Sequence, residues 1–170
     1  MDRIVLAFSG GLNTSVAIPW LAEQFHAQIV TVTLDLGQGR QLDDVRQRAL
    51  AIGAARAHVV DARDRFASDF IVPALQAGAL RDGRFSIATG LSRPLIAKHL
   101  VEIARIEGAT AVAHGSTAAA GDARLDALVH ALDPALTVLA PAREWNLSRA
   151  DAVDYARQRG IPVGGAAERA

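Results

Sequence analysis

The start of the chain constrains its fold more than any other feature. The apolar run Ile4-Val5-Leu6-Ala7-Phe8 stops at Ser9-Gly10-Gly11-Leu12-Asn13-Thr14-Ser15, and an apolar helical pattern begins at Val16. This order predicts a strand, a tight turn and a helix N-terminus. Glycines allow the turn, and the first amides of a helix point outwards without an internal partner. We predict a phosphate or pyrophosphate site at this turn. An ordinary turn with Thr14 as the helix cap is the alternative.

The composition limits the classes of partner. The chain has 170 residues, a length that suits one domain with one sizeable core. Its 18 basic and 18 acidic residues cancel, which argues against a nucleic-acid partner, and the absence of cysteine excludes thiolate chemistry. No apolar run approaches about 18 residues, and the N-terminus does not have the shape of a signal peptide. We therefore expect a soluble, cytoplasmic protein that does not bind membranes.

Short β-branched runs alternate with helical patterns along the rest of the chain. This alternation predicts an α/β fold in three layers, with a doubly wound, five-stranded parallel sheet between helices. The predicted strands are 3–8, 28–34, 57–60, 111–113 and 137–139. The predicted helices are 14–25, 42–52, 92–107, 123–132 and 148–159, with a mostly helical stretch at 64–79 and a loop at 81–84.

Two prolines help to place the helix starts. Pro94 follows Ser92 closely, which predicts that a helix begins at Ser92 with the proline in its first turn. Pro19 is placed close to the first turn of the first helix, where proline is best tolerated; at a deeper position it would kink the helix. We expect one domain over residues 1–163 and a flexible tail over 164–170.

In a doubly wound sheet, a ligand site lies beyond the carboxyl ends of the strands, near the switch in strand order. We expect five loops to meet there: 9–13, 35–40, 61–64, 114–122 and 140–145.

Several single residues near these loops have two readings each. Asp35 is either a Mg²⁺ ligand or a helix or loop cap. His114 is an acid or phosphate donor, or a hydrogen-bonded structural residue, and the structural role is favoured. Arg93 binds phosphate or carboxylate, or forms an ordinary ion pair. The segment Arg143-Glu144-Trp145 forms a pocket wall or, as we slightly favour, an ion pair beside a packed tryptophan. The remaining histidines show no metal-ligand spacing, and no metal site is predicted in the protein itself.

The first turn resembles the Ser-Gly-Gly-x-Asp-Ser/Thr motif of the PP-loop ATP pyrophosphatases, with Asn13 in place of the aspartate. Further segments resemble the argininosuccinate synthase family in particular, and they run in order over nearly the whole chain. These segments are Asp35-Leu36-Gly37-Gln38-Gly39, Ala77-Gly78-Ala79-Leu80, Arg93-Pro94-Leu95-Ile96-Ala97-Lys98, Ala113-His114-Gly115-Ser116-Thr117, Pro141-Ala142-Arg143-Glu144-Trp145 and Gly160-Ile161-Pro162-Val163.

The resemblance implies a nucleotide-binding domain of the adenine-nucleotide α-hydrolase type. Enzymes of this family use ATP, with Mg²⁺, to activate citrulline as an adenylate, and the amine of aspartate then displaces AMP. By resemblance, the ATP-binding residues are Ala7, Phe8, Ser9, Gly10, Gly11, Leu12, Asn13, Thr14, Ser15, Thr33 and Gly115. The predicted substrate-binding residues are Thr89, Arg93, Thr117 and Asp122, and the predicted catalytic residues are Asn13 and Asp122.

This sequence departs from the family pattern at substrate positions. Phe85 stands where the family has a citrulline-binding tyrosine, and Ala88 replaces a glycine. The segment Ala118-Ala119-Ala120-Gly121-Asp122-Ala123-Arg124-Leu125 lacks the family's lysine and aspartate-binding asparagine, and Arg124 stands one place before the citrulline-binding arginine. On a helix, one place is a rotation of about 100°.

The family's second, synthetase domain is also not part of this sequence. We therefore expect a separate synthetase-like chain, a homo-oligomer or another small acceptor. The alternative is a catalytically inactive nucleotide-binding module or sensor. An RNA-modifying PP-loop enzyme is the weakest reading, because the chain has neither a basic stripe nor a CxxC pair.

Overall fold

The computed structural model describes residues 2–39, 42–81, 85–86, 88–116, 123–145 and 148–162. The strands are β1 (Arg3–Ala7), β2 (Gln28–Asp35), β3 (Arg56–Asp61), β4 (Leu80–Arg81), β5 (Phe85–Ser86), β6 (Ala111–His114) and β7 (Thr137–Leu139). Five of them form one sheet in the order β3-β2-β1-β6-β7, and every neighbouring pair in this sheet is parallel. The strands β4 and β5 form a separate antiparallel pair.

Helices cover both faces of the sheet. The helices are α1 (Leu12–Phe25), α2 (Leu42–Ile52), α3 (Arg63–Phe66), α4 (Val72–Gln76), α5 (Ala88–Glu107), α6 (Ala123–Leu132), α7 (Pro141–Glu144) and α8 (Arg149–Gln158), and a π-helical segment (Ala67–Ile71) joins α3 to α4. None of the helices in the described ranges is long and apolar enough to cross a membrane.

Alternate residues of β1 belong to two different cores. Val5 packs with residues of α5 and α6, whereas Ile4 and Leu6 pack with residues of α1 and α2. This alternation follows from the two-residue period of a strand, and it explains why β1 is buried on both faces. The three-layer, doubly wound parallel fold expected from the sequence is confirmed.

The strand order reverses at β1. The chain passes from β1 outwards through β2 to β3, and it then returns to place β6 and β7 on the other side of β1. The switch point therefore lies between the carboxyl ends of β1 and β6. This is the position where doubly wound sheets hold their ligands.

Both placements of a proline in the first turn of a helix are wrong. The helix α5 begins at Ala88, four residues before Ser92, and Pro94 is its seventh residue. Pro19 is the eighth residue of α1, well beyond the first turn. An interior proline costs a helix about 3 kcal/mol because it removes a hydrogen bond and crowds the preceding turn. Packing outweighs this cost, since Ile18 and Leu21 beside Pro19, and Leu95 beside Pro94, are almost fully buried.

The structure also contains elements where loops were predicted. The β4–β5 pair flanks the predicted loop 81–84, of which residues 82–84 lie outside the described residues. The helix α7 replaces most of the predicted loop 140–145. The predicted tail 164–170 and Val163 also lie outside the described residues.

Candidate functional site

A cavity of about 430 Å³ opens at the carboxyl ends of β1, β2 and β6. This volume lies within the range of small-molecule sites in proteins. Its lining includes Ala7, Phe8, Ser9, Thr14, Val32, Thr33, Leu34, Leu36, Gln38, Leu42, Val45, Arg93, Ile96, His114, Gly115, Ser116 and Leu125. The cavity therefore lies at the switch point that the fold creates.

The turn between β1 and α1 is held by its own hydrogen bonds. The Ser9 hydroxyl accepts from the Gly11 amide at 3.3 Å, and the Thr14 hydroxyl donates to the Gly11 carbonyl at 3.1 Å. Gly10 has φ +72°, a conformation that favours glycine. These contacts fix the backbone of the turn in front of α1.

The N-terminus of α1 has no side-chain cap. The residue that precedes the helix is Gly11, and Thr14 is the third helical residue, so Thr14 is not the cap considered above. The first turn of α1 also contains no acidic residue. The positive end of the helix dipole and the outward-pointing amides of its first turn are thus left for an anion.

The end of β6 lies directly against the start of α1. The Asn13 amide nitrogen donates to the Gly115 carbonyl across 3.5 Å, and Gly115 packs on Thr14. On the other side of the turn, Arg48 of α2 donates to the Gly10 carbonyl at 3.1 Å. The turn is therefore clamped between β6 and α2.

The wall formed by β2 is mainly apolar. Val32, Leu34 and Leu36 line the cavity on this side, and Ile96 of α5 lines it as well. Thr33 is buried, and its hydroxyl donates to the Phe8 carbonyl at 2.8 Å. The polar group of Thr33 therefore joins β2 to the end of β1.

His114 connects the cavity to α6 and α7. Its Nε2 lies 2.8 Å from Asp126 Oδ1, and Arg143 donates to Asp126 Oδ2 at 2.7 Å. Burial lowers the pKa of His114 below its ordinary value, and Arg143 and Arg93 act in the same direction against the opposing effect of Asp126. The imidazole is therefore neutral at pH 7, in agreement with the structural role favoured from the sequence.

Asp126 remains a carboxylate although it is partly buried. Burial raises its pKa, but hydrogen bonds from Arg143 and His114 outweigh that effect, and the pKa lies below its ordinary value. Arg143 is thus in an ion pair, and the neighbouring Trp145 stacks on Trp20 with ring centres 5.4 Å apart. The structure has the favoured ion pair beside a packed tryptophan.

Asp35 caps a loop. Its Oδ1 accepts from the Gly37 amide at 2.9 Å, and its Oδ2 lies 3.3 Å from Arg63 Nε. The described residues contain no cluster of three or more acidic, histidine or cysteine side chains that could hold a metal ion. At phosphate sites, Mg²⁺ commonly takes part of its ligands from the bound phosphates.

The structure brings many of the predicted site residues together. Those that line the cavity are Ala7, Phe8, Ser9, Thr14, Thr33, Arg93 and Gly115. The others of the first turn, Gly10, Gly11, Leu12, Asn13 and Ser15, belong to the turn or to α1 without lining the cavity. Thr89 lies in α5, and Thr117 and Asp122 lie outside the described residues.

The expected meeting of five loops is partly wrong. Residues of 9–13, 35–40 and 114–122 line the cavity, whereas none of 61–64 or 140–145 does. The first of these two loops follows the edge strand β3, where Arg63 is paired with Asp61 and Asp35. The second forms α7 and packs through Trp145.

Sequence reasoning missed the contribution of α2. Leu42 and Val45 line the cavity, and Arg48 reaches the turn at Gly10. The spacing of Val45, Arg48 and Ala49 places them on one helical face, and this signal could have indicated that Arg48 points towards the sheet. Gln38 was also missed; its side chain accepts from the Leu36 amide and donates to the Leu34 carbonyl, at 2.7 and 2.8 Å.

Comparisons with known proteins agree with this geometry. The family model of the argininosuccinate synthase N-terminal HUP domain matches residues 3–162. An argininosuccinate synthase of Pelotomaculum thermopropionicum is 52% identical over 165 residues, covering 96% of this chain and 41% of the relative. Those of Desulforamulus reducens and Geobacillus kaustophilus are 51% and 49% identical, over 96% and 95% of this chain and 41% and 40% of the relatives. The chain thus spans about two fifths of the length of these relatives, and it belongs to the argininosuccinate synthase family, matching its N-terminal HUP domain.

Proposed function

We propose that this domain binds ATP, with Mg²⁺, in the cavity at the carboxyl ends of β1, β2 and β6. One observation carries the proposal: the start of α1, without a side-chain cap or an acidic residue, adjoins a cavity of about 430 Å³. A phosphate chain is the anion that suits such a helix end beside a cavity large enough for a nucleoside. Membership of the argininosuccinate synthase family, whose enzymes use ATP, supports the same ligand class.

The two sides of the cavity suit the two ends of a nucleotide. In this proposal the phosphates lie at the turn Ser9–Ser15, and Arg93 adds a positive charge to the lining of the same cavity. The adenine lies against the apolar wall of Val32, Leu34 and Ile96. Apolar contact of this kind favours a flat ring, and backbone groups at the strand ends supply its orientation.

The proposed reaction is an AMP-forming ligation in arginine biosynthesis, with citrulline and aspartate as substrates. Catalysis of this type depends mainly on positioning and on stabilising phosphate charge. We assign the phosphate contacts to the turn before α1, and we keep Thr89, Thr117 and Asp122 as proposed contacts to the amino-acid substrates. The rest of the acceptor site is proposed to come from outside the matched region, in the same polypeptide or in a partner chain. A cytoplasmic location is part of this proposal.

A second candidate function is nucleotide binding without turnover. Asn13 favours it, because its amide donates to the Gly115 carbonyl and no carboxylate stands at this position to organise a Mg²⁺–triphosphate. Release of pyrophosphate from ATP distinguishes the two candidates when citrulline and aspartate are supplied. The measurement includes the polypeptide or partner chain that completes the acceptor site. Release above the level without the amino acids then supports the ligase, and binding without release supports the sensor.

Binding itself is tested by equilibrium dialysis with ATP and Mg²⁺ and by a pair of variants at Leu12, the first residue of α1. Leu12→Pro removes one outward-pointing amide while keeping the helix start, because Gly11 has φ −82° and ψ 169°, which suit a residue before proline. Leu12→Ala removes the side chain and keeps the amide. We expect Leu12→Pro to bind ATP about tenfold more weakly than Leu12→Ala, as for a lost hydrogen bond to a charged group.

Absence of binding at millimolar ATP by the unaltered chain would overturn the proposal. Equal affinities of the two variants would remove the N-terminus of α1 from the phosphate site.

A further inference from the structure

We propose that His114 is a positioning residue, which fixes the segment Gly115–Ser116 against the start of α1 so that the cavity can receive a nucleotide. The inference rests on the proposed nucleotide site. It assigns to His114 no proton transfer to the ligand. Its role depends on the acceptor that its ring offers to the main chain.

Both ring nitrogens of His114 are engaged. The Ser116 amide donates to Nδ1 at 3.3 Å, and Nε2 lies 2.8 Å from Asp126 Oδ1. Because an ionised Asp126 can only accept, the proton is on Nε2 and the lone pair is on Nδ1. With a side chain only 3% exposed, the ring has one orientation in which both bonds exist.

On its Nε2 side, the ring is hydrogen-bonded to a residue of α6, which in turn is hydrogen-bonded to a residue of α7. Asp126 lies on α6, and Arg143 of α7 donates to its second oxygen at 2.7 Å. A series of hydrogen bonds thus links Arg143 of α7 to Asp126 of α6 and Asp126 to His114 of β6. It ends with the bond from the Ser116 amide, in the lining of the cavity, to His114. Partners that orient a histidine in this way also select its tautomer.

The segment Gly115–Ser116, which His114 holds, is also in contact with α1. Gly115 packs on Thr14, and its carbonyl accepts from the Asn13 side chain. Since Ser116 directly follows Gly115, loss of the hydrogen bond to Nδ1 frees the segment Gly115–Ser116 on its cavity side. Among the contacts described above, the packing on Thr14 and the hydrogen bond from Asn13 then remain to position the backbone beside the proposed phosphate site.

Protonation of His114 removes the acceptor. The charged groups that face the ring are Asp126 on α6, which favours the protonated form, and Arg143 on α7 and Arg93 on α5, which oppose it. Burial opposes it as well, and the pKa of His114 lies below its ordinary value. The acceptor is therefore present at neutral pH and is lost only as the pH falls through this lowered pKa.

Two variants separate the two ring nitrogens. Histidine carries Nδ1 on Cγ, as asparagine carries its amide oxygen, so His114→Asn keeps an acceptor for Ser116. His114→Gln extends its amide to the position of Nε2 and keeps the bond to Asp126. We expect His114→Gln to bind Mg²⁺–ATP about five- to tenfold more weakly than His114→Asn, although both lose packing. A merely structural histidine predicts equal losses or the reverse order, and either result would overturn the inference.

A pH profile gives the second readout. As the pH is lowered below about 6.5, the ordinary pKa of histidine, the affinity of the unaltered chain for ATP should fall more steeply than that of His114→Asn, which has no imidazole at this position. The titration of ATP itself cancels in the ratio of the two affinities. Parallel profiles would overturn the inference. If a variant does not fold, the profile of the unaltered chain decides after correction for the separately measured titration of ATP.

Failure of the inference is distinct from failure of the proposed function. If the unaltered chain does not bind ATP at neutral pH, the nucleotide site itself is wrong, and the inference falls with it. If the unaltered chain binds ATP and the two variants bind equally, only the role of His114 is wrong.

Discussion

The methyl group of Thr14 leaves no room for a side chain on Gly115. A Cβ placed on Gly115 would lie 2.5 Å from Thr14 Cγ2 and 3.3 Å from the Thr14 amide nitrogen. The end of β6 and the first turn of α1 can be this close only because residue 115 is glycine. The contact sets the distance between the two elements that flank the switch point.

Gly115→Ala should destabilise the domain by about 2 kcal/mol, as expected for overpacking where the opposing atoms belong to a helix start. The variant should also weaken ATP binding, because the end of β6 and the start of α1 must move apart. Thr14→Ser removes the clashing methyl group and keeps the hydroxyl that donates to the Gly11 carbonyl. The double variant should therefore recover more than half of the lost stability, as measured by urea unfolding.

The double-variant cycle also provides the control for this prediction. Two residues in contact should show a coupling energy of at least about 1 kcal/mol, whereas independent sites add. Additive effects of Gly115→Ala and Thr14→Ser would mean that the two residues do not restrict each other. Gly90→Ala serves as the matched glycine control, because a Cβ at exposed Gly90 in α5 would meet no atom within 4 Å.

Local patterns predicted most of the fold. The bounds of α2, α6 and β7 agree with the sequence-based ranges, because their apolar periodicity and their end residues indicate the same limits. The errors at the starts of α1 and α5 concern prolines, since Pro19 and Pro94 are local signals for a helix start. Burial of neighbouring side chains against other elements overcomes the cost of each proline. A short stretch of sequence does not show which other elements will pack against it, so this compensation could not be predicted.

The site was less predictable than the fold. The turn Ser9–Ser15 is recognisable in the sequence by its glycines and hydroxyl residues, and Gly115 is recognisable by its position just after a predicted strand. The contribution of Arg48 depends on how α2 packs over the sheet, and the link from His114 through Asp126 to Arg143 joins residues 12 and 17 positions apart. Such contacts depend on the relative placement of elements, which periodicity does not encode.

A buried carboxylate at the opposite end of the sheet should contribute to stability. Glu107, at the end of α5, has a side chain that is 1% exposed and lies 2.8 Å from His58 and 3.1 Å from Arg56. Glu107→Gln should cost about 2 kcal/mol, less than for a fully buried pair, because the partners remain partly exposed. Glu102→Gln is the control: this side chain is 43% exposed and pairs with Lys98 and His99, so its loss should cost less than about 0.5 kcal/mol.

The pH dependence of stability should distinguish Glu107 from its control. Burial raises the pKa of Glu107, but the hydrogen bonds from His58 and Arg56 outweigh it and hold the pKa below the ordinary 4.5. The carboxylate therefore contributes its full stabilisation above about pH 4.5, and the contribution is lost as the pH falls further. Glu107→Gln should lose less stability than the unaltered chain between about pH 5 and about pH 3. Identical acid profiles would exclude Glu107 as the group responsible.

The start of α8 provides a prediction that is independent of the site. The Ser148 hydroxyl accepts from the Asp151 amide, and the Asp151 carboxylate accepts from the Ser148 amide, each at 3.2 Å. Ser148→Ala should cost about 1 kcal/mol and lower Tm by about 2–4 °C, whereas Ser148→Asn should retain most of the cap. Ser68→Ala, at an exposed serine within the π-helical segment, should change Tm less. Equal shifts for Ser148→Ala and Ser68→Ala would contradict a capping role.

Asn13→Asp should change how ATP binding depends on Mg²⁺. The Asn13 amide donates to the Gly115 carbonyl across 3.5 Å, and a carboxylate at this position cannot donate and instead repels both the carbonyl and the phosphates. Mg²⁺ neutralises that repulsion, so the affinity ratio with and without Mg²⁺ should rise about tenfold over that of the unaltered chain. Asn13→Ala removes the amide without adding charge and should leave this ratio nearly unchanged. A similar rise in Asn13→Ala, or none in Asn13→Asp, would place the side chain of residue 13 away from the Mg²⁺–phosphate group.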